Sequence, residues 1–328
     1  MRAVWYDRQG PAHEVLTLGE LPTPTPARGE VLVRLAASGV NPADTYWRNG
    51  GAGPMPYPRI VTQSDGAGVV EAVGAGVAGL RAGQRVWLYN GQRNGRWCGT
   101  AAEYIALDAD LVTALPDDVS FAEGATLGIP CMTAHRCVFL AGPVQGRTVL
   151  VTGGAGAVGH YAVQLAAWAG ARVIATVSSE AKAARARAGG AAETIDYRRE
   201  DVAARVADLT GGVGVDHVVD VDFGGNLAVT VAAVRANGSI AVYATNGNRT
   251  PEVPIRTLMG KNVSLHTMSL PGSPHAARQR AQSDIAAWLR GGRRILSVAA
   301  EFPLTETAAA HDAVEAGTKT GTVVVRCR

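Results

Sequence analysis

Near the middle of the 328-residue chain, Gly153-Gly154-Ala155-Gly156-Ala157-Val158-Gly159 makes a glycine-rich turn with an apolar strand-like run before it and a helix-like run after it. Thr148-Val149-Leu150-Val151-Thr152 is β-branched, as in a buried parallel strand, and Val158, Ala162, Leu165, Ala166 and Ala169 recur at helical spacing until Gly170. In a strand-turn-helix unit of this kind, positions without side chains let the backbone approach a pyrophosphate. The helix N-terminus adds free N–H groups and the positive end of its dipole. The turn therefore reads as the holder of a phosphorylated, nucleotide-like ligand.

The rest of the pattern agrees with a parallel sheet around that turn. Candidate strands at 148–152, 172–177, 193–195, 216–220, 239–243 and 263–267 alternate with Ala-rich helical segments, which is the mark of crossover connections. Residues 1 to about 120 differ: short alternating stretches such as Glu30-Val31-Leu32-Val33-Arg34-Leu35 and Val69-Val70-Glu71-Ala72-Val73 lie between Gly and Pro clusters. The tail predicts a helix near 276–290, a strand near 298–302, a helix near 306–315 opened by Thr305, and a strand at 322–326. The expected fold is α/β, with a doubly wound Rossmann sheet over 123–268 and a β-rich catalytic domain built from 1–122 and 269–328.

Bulk properties exclude several functions. The formal charge of +3 is small and the basic residues are scattered, so no nucleic-acid partner is expected. Residues 1–20 hold no apolar signal core, and no run approaches the roughly 20 apolar residues of a membrane span, so a cytoplasmic protein without a membrane partner is expected. Cys98, Cys131, Cys137 and Cys327 fit neither a zinc ribbon nor a disulfide framework and read as free buried thiols.

The order of these parts resembles the medium-chain dehydrogenase/reductase superfamily, and within it the zinc-independent quinone oxidoreductase branch that includes zeta-crystallin. The resemblance spans essentially the whole chain. It is carried by Gly39-Val40-Asn41-Pro42-Ala43-Asp44-Thr45-Tyr46, by Gly66-Ala67-Gly68-Val69-Val70-Glu71-Ala72-Val73-Gly74, by Gly99-Thr100-Ala101-Ala102-Glu103-Tyr104 and by the glycine turn. It implies that the β-rich domain is GroES-like and that the substrate binds between the domains. Zinc members need three protein ligands around a tetrahedral metal with one open position. Here Ser38 stands where the first cysteine would, and Ser64-Asp65 where a His-Glu pair would. His135, His160 and His217 fall on helix or strand segments and read as core or surface histidines, so no metal site is expected.

Without a metal, the reaction must need little Lewis-acid help. Quinones and α,β-unsaturated carbonyls qualify, because they accept hydride at an already electron-poor position. The resemblance puts Asn41 and Tyr46 at the catalytic slot, Tyr46 also beside the cofactor. Asn-Pro is equally an ordinary turn initiator, and whether Tyr46 donates a proton stays open. Trp47, Tyr57, Tyr89 and Trp97 could wall a flat substrate or simply pack.

The second strand of the parallel sheet ends in Ser178-Ser179 rather than in the acid that binds a ribose 2′-hydroxyl. Ser178, Lys182 and Tyr197 match the residues that grip the 2′-phosphate in the bacterial quinone oxidoreductases, which implies NADPH. Glu180 is either a displaced ribose-binding acid or a first-turn acid favoured by the helix dipole. The turn residues Gly153, Ala155, Gly156, Ala157, Val158 and Gly159 should line the cofactor. By resemblance so should Gly224, then Ala244, Thr245, Asn246 and Gly247, and at the nicotinamide end His266, Thr267 and Met268. Thr62-Gln63 replaces a common Pro-Gly, Gln84 replaces a common Asp, and the loop Asn90 to Trp97 is longer and more basic than usual. These departures bear on the substrate rather than the cofactor.

The expected activity is NADPH-dependent reduction of a quinone. An enone or 2-enoyl thioester reductase, with Arg93 and Arg96 on a basic rim for a phosphorylated carrier, is the enzymatic alternative. An NADPH-binding structural or sensor protein is the non-enzymatic one. The exposed edge of the last Rossmann strand leads us to expect a homodimer.

Overall fold

A computed structural model describes residues 1–93, 95–291 and 294–328. The chain divides into two compact units, one comprising Met1–Pro130, Leu289–Gly291 and Leu296–Arg328, the other Cys131–Trp288 with Arg294 and Ile295.

The first unit carries β1 (Arg2–Tyr6), β2 (Thr17–Glu20), β3 (Glu30–Val40), β4 (Ile60–Val61), β5 (Asp65–Val73), β6 (Arg85–Leu88), β7 (Tyr104–Asp108) and β8 (Val112–Ala114). The second carries β9 (Thr148–Val151), β10 (Arg172–Val177), β11 (Glu193–Asp196), β12 (Val215–Asp220), β13 (Val234–Val242) and β14 (Ser264–Thr267). The chain then returns to the first unit with β15 (Val298–Pro303) and β16 (Thr322–Arg326). There β16 pairs antiparallel with β3, Val323 opposite Val40 and Arg326 opposite Ala37.

In the first unit β3 is the hub. Its 11 residues reach far enough to pair with β16 near one end, with β7 near the other and with β5 along most of the length. The seven-stranded sheet runs β15-β16-β3-β5-β6-β8 with β7 attached to β3, beside a small sheet β2-β1-β4. Ala3, Val4, Val40, Val61, Ala102, Val323 and Val325 close one core of this unit.

The second unit is an all-parallel sheet in the order β11-β10-β9-β12-β13-β14, the 3-2-1-4-5-6 order of a Rossmann fold. Sheets covered on both faces need strands apolar throughout, and Leu150, Ile174, Ile195, Val218 and Ile240 are completely buried across five neighbouring strands. Each such side chain contributes roughly 1.5–3 kcal/mol by leaving water.

Three expectations are corrected in detail. The strand expected at 239–243 begins at Val234, because Asn237 sits in a bulge with φ of 58° that Asn-Gly disguises as a turn. The helix expected at 306–315 is preceded by a 3₁₀ turn, Leu304–Glu306, and starts at Thr307. The units divide at Pro130/Cys131 and Trp288/Leu289, later than 122/123 and 268/269. Residues just after 122 stay with the first unit, where Ile129 donates its N–H to Asp65. The helix His275–Arg290 stays with the second as far as Trp288, which meets Tyr161 edge-on at 6.1 Å, and Asp284 bonds His135 at 2.9 Å.

Candidate functional site

At the glycine turn, Gly153 adopts φ of 63°, and Gly153 N–H and Gly154 N–H donate to the Thr176 hydroxyl (3.0 Å) and carbonyl (2.9 Å). These bonds fasten the turn to the end of β10. A β-carbon on Gly159 would collide with the Gly153 carbonyl, so the helix Ala157–Trp168 can leave the turn this closely only with glycine there. Its N-cap, Gly156, has no side chain to cover the first turn, and the N–H groups of Ala157, Val158 and Gly159 have no intrahelical partner. Beside the turn lies a groove of about 760 Å³ lined by Gly153, Thr176, Tyr197, Asp201, Val221 and Asn226, among others. A helix N-terminus at the glycine turn and a groove beside that turn, lined by residues at the carboxyl ends of parallel strands, suit a dinucleotide.

The residues expected to meet the cofactor's 2′ position follow β10. Ser178 is nearly buried, and Lys182, one helical turn onward, donates from Nζ to its hydroxyl at 2.9 Å. Ser179 caps the helix Glu180–Ala188, which sets Lys182 on the side of Ser178. Glu180 is exposed and turned along the helix into an ion pair with Arg187. Tyr197 follows β11 and is half exposed on the groove wall. The serine, lysine and tyrosine named from sequence thus lie at the carboxyl ends of neighbouring strands β10 and β11.

The later cofactor candidates lie at the ends of β12, β13 and β14. Gly224 N–H donates to the Thr245 hydroxyl at 3.1 Å, and a β-carbon there would strike the Asn248 carbonyl. Ala244 accepts from Phe223 N–H at 3.0 Å, and Gly247 N–H donates to Asp222 at 2.9 Å, while Asn246 is exposed. His266 and Thr267 are part of edge strand β14, opposite Ala241 and Val242, rather than of a loop; Met268 follows and bonds the Val242 carbonyl at 2.8 Å.

In the first unit, Asn41 ends β3's path and opens the short helix Pro42–Arg48, which carries Asp44, Tyr46 and Trp47. Asn41 is 3% exposed and its Nδ2 donates to Asp65 at 2.7 Å, so one of its two amide hydrogens is already engaged. Asp44 is buried; it accepts from Asn41 N–H (2.8 Å), from Ser64 (3.3 Å) and from Arg93 (3.0 Å). Burial, and next the negative charge of Asp44, push the Asp65 carboxyl well above the usual carboxylate range. Burial also raises Asp44, against the pull of Arg93. Arg93 pairs with Asp44 at 3.0 Å, so a positive charge is set against the buried carboxylates of this cluster. Tyr46, by contrast, is 42% exposed.

The positions examined as metal ligands are engaged otherwise. Ser38 donates to Gln63, and lies 2.7 Å from the Thr100 hydroxyl. Among the described residues no three His, Cys, Asp or Glu side chains gather as a metal site. Gln63 takes φ of 71°, a conformation that glycine adopts freely and other residues rarely.

Loop Asn90 to Trp97 is internally tied, apart from Asn94, which lies outside the described residues. Arg93 is 7% exposed, bonds Gln92 and Asp44, and stacks 5.6 Å above Trp47. Arg96 bonds the carbonyls of Gly91 (3.0 Å) and Asn90 (2.8 Å) and pairs with Asp108 at 2.7 Å. Of the four aromatic residues expected as a wall, Tyr89 is fully buried against Trp87, Tyr57 is tied to the Gly95 carbonyl, Trp47 is half-buried and only Trp97 is largely exposed. Sequence reasoning missed the Asp44–Arg93–Asp65 cluster; its sole signal was the unusually basic loop.

A GroES-like β-rich unit joined to a six-stranded Rossmann sheet is the architecture of the medium-chain dehydrogenase/reductases. Residues 27–117 match the alcohol dehydrogenase GroES-like domain and residues 157–286 the zinc-binding dehydrogenase domain. The chain is 31% identical over 330 residues to quinone oxidoreductase of Rattus norvegicus, covering 99% of this chain and 97% of that protein. It is 32% identical over 339 residues to 2-haloacrylate reductase of a Burkholderia species, covering 99% and 98%. A mycobacterial structure in complex with NADPH superposes with a TM-score of 0.86 at 31% identity, covering 99% of this chain and 100% of that one. The chain belongs to the quinone oxidoreductase family of the medium-chain dehydrogenase/reductase superfamily, and is an oxidoreductase.

Proposed function

We propose that this protein is an NADPH:quinone oxidoreductase that works without zinc. The observation that carries the cofactor is the Lys182 ammonium held 2.9 Å from Ser178 at the end of β10, where an NAD enzyme would place an acid. Lys182, Ser178 and Tyr197 would hold the 2′-phosphate, and the N–H groups of Ala157, Val158 and Gly159 the pyrophosphate. The mycobacterial relative bound to NADPH supports the same reading.

When bound, NADPH would supply the hydride. The protein's own part is to orient the acceptor and donate a hydrogen bond to the oxygen that gains negative charge. The exposed Tyr46 phenol suits that role. Asn41 acts one step back: its amide engages Asp65 and fixes the start of the helix that bears Tyr46. Zinc independence is supported by Ser38 and Ser64, both engaged in hydrogen bonds with neighbouring side chains.

The 2-haloacrylate reductase relative favours a second reading, reduction of another activated carbon–carbon double bond. A thioester on a phosphorylated carrier is less favoured, because Arg93 and Arg96 are already engaged by carboxylates of this chain, Asp44 and Asp108. Purified protein is expected to oxidise NADPH with a small quinone, followed by the loss of reduced-nicotinamide absorbance. No turnover with any quinone or enone would sink the assignment.

We further propose a homodimer through β14, an unpaired edge flanked by exposed Ile255 and Met259 on the helix Ile255–Gly260. Light scattering should return twice the 33.9 kDa chain mass, and a monomer at low concentration would count against the interface.

A further inference from the structure

The helix Pro42–Arg48 ends in a way that bears directly on Tyr46. Gly50, at φ of 81°, donates its N–H to the Trp47 carbonyl at 3.1 Å, and Gly51 donates to the Tyr46 carbonyl at 3.0 Å. These are the two bonds of a Schellman motif with Asn49 as its C-cap, which brings the residue two after the cap against the residue three before it. Those two residues are Gly51 and Tyr46. An apolar side chain commonly fills that contact; here the tyrosine ring takes the space itself. A β-carbon at Gly51 would overlap the Tyr46 ring at Cδ2, Cε2 and Cζ.

We propose that Gly51 is the positioning residue for Tyr46, its missing side chain forming the seat on which the catalytic ring lies. This rests on the role given above to Tyr46 in acceptor reduction. The seat is rigid because Gln9 ties it from outside, donating from Nε2 to the carbonyls of Trp47 (3.1 Å) and Gly53 (2.8 Å). The ring is 42% exposed, so part of it borders solvent rather than packed protein. Gly51 is itself exposed, and its backbone lies outside the left-handed region of Gly50 and Gly53; the three atoms nearest to an added β-carbon all belong to the ring. Residue 51 thus sets where the phenol points, and through it which acceptors are oriented well.

The test is Gly51→Ala, alone and combined with Tyr46→Ala. With the ring present, Gly51→Ala is expected to lower kcat/KM for a quinone about tenfold, as a misplaced group near the reacting atoms does. In the Tyr46→Ala background the same change should alter kcat/KM less than about twofold, with the thermal midpoint unchanged in both backgrounds. Independently of turnover, the rate of Tyr46 nitration by tetranitromethane, read by peptide mass spectrometry, should rise severalfold in Gly51→Ala. An unchanged nitration rate, or equal activity losses with and without the ring, would overturn the proposal. Failure of the quinone reading itself shows separately, as absent turnover in the unsubstituted protein, and the nitration rate still decides whether Gly51 seats the ring.

Discussion

Replacing Lys182 by alanine is expected to weaken NADPH binding by about 10- to 100-fold while leaving NADH binding within about twofold. A hydrogen bond to a charged group is worth about 1.5–3 kcal/mol, and each 1.4 kcal/mol is about a factor of ten in affinity. The Lys182 ammonium is half-buried and already aimed by Ser178, so little side-chain freedom remains to be lost when a phosphate arrives. NADH carries a hydroxyl at that place and would gain nothing from the cation. Ser178→Asp should go further and favour NADH, since it puts a negative charge against the phosphate and an acceptor beside the ribose hydroxyl. Titration of nicotinamide fluorescence with both cofactors measures the ratio. Equal losses for NADPH and NADH in Lys182→Ala would show that Lys182 supports the fold or the pyrophosphate rather than the 2′-phosphate.

Why Lys182 could be picked out from sequence, and Arg93 could not be given its partner, is a matter of distance along the chain. Ser178 and Lys182 are four residues apart across the start of one helix, just before its N-cap and in its first turn, and the strand before them is a run of β-branched residues that forms β10 over the predicted span, 172–177. Local geometry alone fixes that relation. Asp44 and Arg93 are 49 residues apart, joined only because the barrel brings a loop back onto a helix. Nothing in either segment announces the other. The same holds for β13, where a left-handed Asn237 before Gly238 reads as a turn until neighbouring strand pairing shows the bulge. Tyr46 was named from its motif, whereas its seat at Gly51 follows from a helix C-terminus whose two hydrogen bonds only the folded backbone displays.

Acidification is expected to produce the largest change of all, cooperative unfolding as the pH falls from 6.5 toward 4. Four histidines are buried. Burial holds His135, His160 and His217 at about 4 and His311 at about 3, from an ordinary 6.5. Asp284 opposes the shift at His135, while Arg185 beside His160 and Arg48 beside His311 reinforce it. A group depressed in the folded state binds fewer protons there than in the unfolded chain. Its contribution is therefore complete above 6.5 and is lost as pH falls through the window down to the folded value. At about 1.4 kcal/mol per unit, each histidine forfeits on the order of 3 kcal/mol; the three in the second unit together approach the whole stability of a typical domain, about 5–15 kcal/mol, while His311 acts on the first. The raised carboxyls of Asp44 and Asp65 act in the opposite sense, because the folded state takes up their protons first, and they offset part of the loss. His311 isolates the effect, since neither ring nitrogen has a hydrogen-bond partner among the described residues. His311→Leu should cost little at pH 7 and move the acid midpoint, followed by circular dichroism, several tenths of a unit lower. A midpoint below pH 4 in the unsubstituted protein, or one that His311→Leu leaves in place, would mean that these imidazoles are not what acid attacks.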